Sequence, residues 1–110
     1  MSVTVMALLS VNENEPRALA EYLDVTAPLL ERAGAKIVKR FAIHEAVVGD
    51  RPAMTTVLVE YPSRSAVDQV FQSAEYKSIQ SVRDRAFDKY EISIVASEET
   101  IPQAAEQPSD

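Results

Sequence analysis

The sequence predicts an α+β domain whose elements follow the order βαββαβ and whose four strands form one antiparallel sheet. Three observations predict it. Two strand-like runs, Val3–Val11 and Met54–Tyr61, each give way at a turn signal to apolar residues at helical spacing. The run Lys36–Val48 precedes Met54–Tyr61 across Gly49, Asp50, Arg51 and Pro52, the pattern of a hairpin. A last short run, Tyr90–Val95, follows the second helical region.

Val3–Val11 is rich in β-branched and aliphatic residues, and the cluster Asn12, Glu13, Asn14, Glu15, Pro16 ends it and opens a helix, with Pro16 suited to the first helical position. Leu19, Tyr22, Leu23, Thr26, Leu29, Leu30 and Ala33 then form one apolar stripe, while Glu21, Asp24, Glu31 and Arg32 lie mostly outside it. Pro28 removes a backbone hydrogen bond and crowds the Asp24 carbonyl, so a kink or break is expected near Val25–Ala27. Gly34 suits the left-handed position that closes a helix. After the hairpin, Tyr61, Pro62 and Ser63 mark a handover from strand to helix, because Pro62 cannot donate to a ladder and Ser63 can accept a backbone N–H. Two short helices are expected next, one with Val67, Val70, Phe71 and Ala74, the other capped by Ser73 and carrying Tyr76, Ile79, Val82 and Ala86. The order is that of a ferredoxin-like sheet, and right-handed crossovers place both helical regions on one face.

With 110 residues the chain is one small domain, expected over residues 1–97, that buries roughly two-thirds of its unfolded surface. An acidic, proline-containing tail over 98–110 is expected to be disordered. An apolar fraction of 46%, with no run approaching the ~20 residues of a membrane span, points to a soluble protein without a membrane partner. No basic leader precedes Val3, and cysteine is absent, so a cytoplasmic location is expected. The missing cysteines also exclude thiolate nucleophiles, iron–sulfur clusters and the usual structural zinc sites, and no metal or cofactor is expected. A net charge of −6, with scattered basic residues, argues against nucleic acid. Two glycines cannot build a phosphate loop, and Ser10, Ser63 and Ser73 lack the setting of a nucleophile.

Alternation along the strands makes both sheet faces apolar. In the first strand Val3, Val5, Ala7, Leu9 and Val11 oppose Met6 and Leu8, and in the third Val57 and Val59 oppose Met54 and Leu58. Helices cover one side only, and a contiguous apolar patch marks an association surface, so a homodimer packed sheet against sheet is expected. The alternative is that Thr4, Ser10 and Thr56 make this face polar enough for a monomer.

The segment Val3–Val95 resembles a bacterial family known as a domain of unknown function, number thirteen-thirty, within the dimeric α/β-barrel superfamily. The likeness rests on Pro16, Leu19 and Tyr22, on Gly34 and Arg40, on Gly49 and Pro52, and above all on Tyr61, Pro62, Ser63 and Ala66, then Ser73, Glu75, Tyr76 and Arg83. Phe41–Ala42 stands where members often carry a Gly-Gly pair, Val48 where they carry an acidic residue, and their turn tryptophan is absent. The resemblance implies a dimer in which two sheets form a barrel with helices outside. Relatives in the superfamily include cofactor-independent monooxygenases, isomerases and dehalogenating enzymes, and also proteins without known activity.

A hairpin turning about Arg51 sets Ala42 opposite Glu60 and His44 opposite Leu58, with Arg40 diagonal to Glu60 on the barrel side; Ile37, Phe41, Ile43, Val57 and Val59 are assigned to the helix-covered face. Two readings of this cluster stay open. Arg40 holds a carboxylate or carbonyl while Glu60 abstracts a proton, or the two neutralise each other as a structural ion pair. His44, the one histidine, is either a base titrating near neutrality or a strand residue with a backbone partner. Tyr76 and Arg83, seven apart, either present a hydroxyl and a cation at a pocket edge or pin the short helix, with Arg83 pairing to Asp84 or Asp88. Arg40, Glu60, His44, Tyr76 and Arg83 are therefore the candidate ligand-binding residues. The function expected is binding of a small organic carboxylate or carbonyl compound, with or without cofactor-independent catalysis. The alternative is a non-catalytic dimeric association module.

Overall fold

A computed structural model of the chain describes residues 2–95, and the tail expected over 98–110 lies outside them. The elements are β1 (Val3–Val11), α1 (Pro16–Arg32), β2 (Lys36–Ala42), β3 (Thr55–Tyr61), α2 (Arg64–Phe71), α3 (Ala74–Ser78), α4 (Gln80–Ala86) and β4 (Phe87–Val95). The sheet order is β2-β3-β1-β4 and every neighbouring pair is antiparallel, the ferredoxin-like arrangement expected from the element order.

The pairing Val5↔Val59 and Ala7↔Val57 puts four buried residues on the side that the helices cover. Val5 and Val70, from strand and helix, are among the most deeply buried side chains, and burial of each contributes about 1.5–3 kcal/mol. On the other side Met6↔Leu58 and Leu8↔Thr56 are only half-buried. Ser63 accepts the N–H of Ala66 at 3.1 Å and Ser73 accepts that of Tyr76 at 3.0 Å, so both serine caps form as the sequence suggests.

Four expectations are corrected. The break expected near Val25–Ala27 does not occur, and α1 runs through Pro28. Pro28 and Asp24 both lie on the exposed face, where water can serve the carbonyl that the proline leaves unpaired, while the buried stripe of Ala18, Tyr22, Thr26 and Leu29 carries the helix on. The second helical stripe is split at Ile79, whose conformation ends α3 and begins α4; beside it the Ser78 hydroxyl donates to the Glu75 carbonyl at 2.7 Å, drawing that acceptor away from regular helix. β4 begins at Phe87 rather than Tyr90, because Phe87 pairs with Val11 across an irregularity between Ser10 and Val11.

The largest correction concerns β2. It ends at Ala42 instead of Val48, and residues 43–54 leave the sheet as a long loop. Ile43 N–H donates to the Met54 carbonyl at 2.8 Å and Arg51 donates to the Ile43 carbonyl at 3.0 Å, which closes the loop at its base, while Pro52 offers no N–H to a ladder. Ala42 therefore faces Thr55 rather than Glu60. A bulge between Ile37 and Lys39 also inverts the parity of the strand, so Arg40 pairs with Val57 on the helix side and Phe41 with Thr56 on the open side. Phe41, expected in the core, is 51% exposed.

Gly34 follows α1 with φ +77°, and a Cβ built there would stand 3.3 Å from the Pro62 ring. Gly34→Ala is expected to destabilise by about 1–2 kcal/mol from the left-handed conformation alone. Thermal unfolding checks this, at roughly 4–8 °C of Tm per kcal/mol for a domain near this size.

Candidate functional site

A cavity of about 180 Å³ lies between α1 and the helix side of the sheet. Its inner wall is built from Tyr22 and Thr26 of α1, Val57 and Tyr61 of β3, Tyr76 of α3 and Tyr90 of β4. Each strand residue reaches it because its parity is that of the core: Tyr90 pairs with Leu9 as Val57 pairs with Ala7. The mouth lies between α1 and β2, where the lining residues Leu23 and Ile37 are 51% and 52% exposed. Arg40 stands at this mouth, and among the described residues no carboxylate comes within ion-pair distance of it.

The polar part of the cavity is a chain of hydroxyls. Tyr90 Oη lies 2.6 Å from Tyr22 Oη and 2.6 Å from Tyr76 Oη. Arg83 Nη1 donates to Tyr76 Oη at 3.2 Å, and the guanidinium sits 5.1 Å from the centre of the Tyr90 ring. Its Nε and Nη2 donate to Asp84 at 3.4 and 3.3 Å. The rings meet edge to face: Tyr22 with Phe87 and with Tyr90, and Phe71 with Tyr76. Thr26 spends its hydroxyl on the Tyr22 carbonyl at 2.9 Å.

Burial holds the phenols of Tyr22, Tyr61 and Tyr90 neutral. Burial is the main cause that raises Tyr22 and Tyr90 well above the ordinary tyrosine range, and it pushes Tyr61 up to about 12 with a further contribution from the Tyr76 hydroxyl. Burial works against the charge of Arg83, but the Tyr76 hydroxyl and the Asp84 carboxylate outweigh it and raise its pKa.

A second, more open cavity of about 430 Å³ adjoins the first, and Phe71, Tyr76, Tyr90 and Ile92 line both. Arg83, Asp84 and Asp88 belong to this outer chamber alone. Tyr76 and Tyr90 thus form the partition between an apolar interior and a charged vestibule.

Of the five residues singled out from the sequence, the fold gathers three about these chambers: Arg40, Tyr76 and Arg83. Glu60 pairs with Thr4 and Lys36 on the open side of the sheet, so the neighbourhood expected for Arg40 and Glu60 is not formed. The hairpin closes on Ala42 and Thr55, so Lys36 rather than Arg40 lies opposite Glu60, and the bulge in β2 puts Arg40 on the other face. His44 is exposed in the 43–54 loop and has no strand partner. Tyr90, the hub of the hydroxyl chain, and Tyr22 are not among the five candidates that the sequence offers. All four tyrosines occupy core-facing positions, and a buried phenol needs a partner for its hydroxyl, which was the available signal. Among the described residues no three His, Asp or Glu side chains converge as a metal site would require.

A phenol kept neutral by the fold but ionising near its ordinary value of about 10 when unfolded stabilises fully below that pH. The contribution is lost as pH rises through the folded value, about 12 for Tyr61 and higher for Tyr22 and Tyr90. In an alkaline titration followed by phenolate absorbance, these three are expected to ionise late and together with loss of the helical circular-dichroism signal. Full phenolate absorbance at about pH 10.5 with the fold intact would contradict this.

The family model described as Domain of unknown function (DUF1330) matches residues 4–97. No curated protein matches the chain. Among solved structures, a protein of unknown function from Rhodopseudomonas palustris superposes with a TM-score of 0.73 at 17% identity, over 90% of this chain and 84% of that one. SnoaB, a cofactor-independent oxygenase from Streptomyces nogalater, gives 0.58 at 14% identity, over 93% and 98%. A dimeric protein of unknown function and ferredoxin-like fold from Bacteroides fragilis gives 0.51 at 10%, over 86% and 94%. At these identities the likeness extends to the fold alone. No helix among the described residues is long and apolar enough to cross a membrane. The match over residues 4–97 takes in most of the 110-residue chain, and the protein belongs to the DUF1330 family, here with a ferredoxin-like α+β fold.

Proposed function

We propose that this protein binds a small organic molecule bearing a carbonyl or carboxylate oxygen in the cavity beneath α1, as a homodimer, and that any reaction there needs no cofactor. The observation that carries the reading is a cavity of about 180 Å³ with apolar walls, buried phenol hydroxyls inside and an arginine at its mouth. Protein interiors leave few voids larger than a water molecule, whereas this one is of the size that accepts a single six-membered ring. Arg40 and Tyr76 are the proposed direct contacts, with Arg83 acting on Tyr76. Glu60 and His44 line neither chamber. SnoaB shares the fold and works without a cofactor, which supports the cofactor-free reading by analogy only.

The open sheet face supports the dimer. Met6, Leu8, Phe41 and Leu58 form its apolar middle, and Lys36, Lys39, Glu60, Lys89 and Glu91 share that side towards the edges. A half-exposed phenylalanine among half-buried aliphatics is the pattern of a surface awaiting a second sheet. The same face favours the rival reading, an association module without a ligand.

Thermal shift against small aromatic ketones, phenols and carboxylic acids separates the two. Ligands are expected to raise Tm for the wild type and not for Ile37→Trp, which fills the mouth from an exposed edge-strand position; no stabilising compound in the panel would favour the association module. In sedimentation at micromolar concentration the wild type is expected at twice the 12.1 kDa chain mass and Phe41→Asp at or near the single-chain mass. A wild-type species at 12.1 kDa would overturn the dimer.

A further inference from the structure

Three phenols that make two hydrogen bonds among themselves leave one O–H unspent, whichever way the chain is oriented. Tyr22, Tyr90 and Tyr76 are in this position, and Arg83 adds a donor to Tyr76 without consuming any of their hydrogens. Tyr61 supplies a second unspent donor. It is 1% exposed and lines the same cavity, it is influenced by the Tyr76 hydroxyl, and no hydrogen bond to its own hydroxyl is found among the described residues. All four phenols line the inner cavity, so two O–H groups without a protein acceptor border it, no carboxylate among the described residues lines it, and a buried donor without an acceptor costs about 1–3 kcal/mol.

We infer that these two donors converge on one ligand oxygen and that the molecule bound in this cavity is an acidic phenol or enol held as its oxyanion. The inference rests on the cavity-binding reading above, keeps from it the carbonyl compounds that can enolise, and extends it to phenols. A single oxyanion has lone pairs for two phenol donors, whereas a carboxylate takes several donors or an arginine fork, and the only arginine lining this cavity, Arg40, stands at the mouth. The positive charge of Arg83 reaches the interior through Tyr76 and polarises the chain towards the ligand, although Asp84 offsets part of it and Asp88 shares the vestibule. Burial keeps Tyr22, Tyr61 and Tyr90 protonated, so each retains an O–H to donate. On binding, the ligand O–H breaks, its proton passes to solvent, and the electron pair stays on the oxygen.

The test uses 4-nitrophenol, whose anion absorbs in the visible, and 4-nitroanisole, its methyl ether, which cannot form one. Bound 4-nitrophenol is expected to titrate about one unit lower than in solution, a tenfold preference for the anion. Tyr61→Phe removes a donor that has no protein partner, so it should leave Tm unchanged or higher while reducing that shift severalfold; Tyr90→Phe should reduce it too. Nitrophenol binding without a shift, binding of the ether as tightly as the phenol, or a shift that survives Tyr61→Phe would each overturn the inference and leave the cavity reading standing. If neither probe nor any compound of the wider panel binds, both fall.

Discussion

The structure depends on one node, the Tyr90 hydroxyl, where three elements meet. Burying an aromatic ring is favourable, but the hydroxyl brought along becomes a liability unless it finds a partner. At 2.6 Å from both Tyr22 and Tyr76, the Tyr90 hydroxyl ties the first helix, the short α3 helix and the edge strand β4 to one point. Rings meeting edge to face are rigid spacers, and the hydroxyl contacts keep them from sliding into the space beside them. The cavity is the volume that such spacers leave.

Much of the scaffold is legible in the sequence because each signal has a local physical cause. Pro62 and Ser63 end a strand and cap a helix without help from the rest of the molecule, and the stripe through Tyr22, Thr26 and Leu29 requires only a helical period. The edge strand defeats the same logic. No residue of β2 is buried, so alternation has no wet and dry side to report, and register is specified only where one face is buried. The β-branched and aliphatic run through Val47 and Val48 looks like strand, yet both valines are almost fully exposed at the loop tip. Arg40 and Tyr76 were visible as candidates from residue type and setting. Their true company was not, since it is set by the register of β2 and by hydroxyl contacts between residues as far apart in sequence as Tyr22 and Tyr90.

The fold is shared with a cofactor-independent oxygenase and with proteins of unknown function, so it does not select a chemistry. Selection falls to the side chains at the partition between the two chambers. There Arg83, Asp84 and Asp88 line the vestibule, while the inner chamber carries phenol hydroxyls with Arg40 at its mouth.

The bulge at Val38 has a geometric consequence for the edge of the sheet. Strand side chains alternate with a period of two, so without a surplus residue Ile37 and Arg40, three apart, would fall on opposite sides; the bulge lets both line the cavity beneath α1. Lys39 and Phe41, two apart, keep to the open side with Leu58 and Thr56, so one short edge strand serves both faces of the sheet at once.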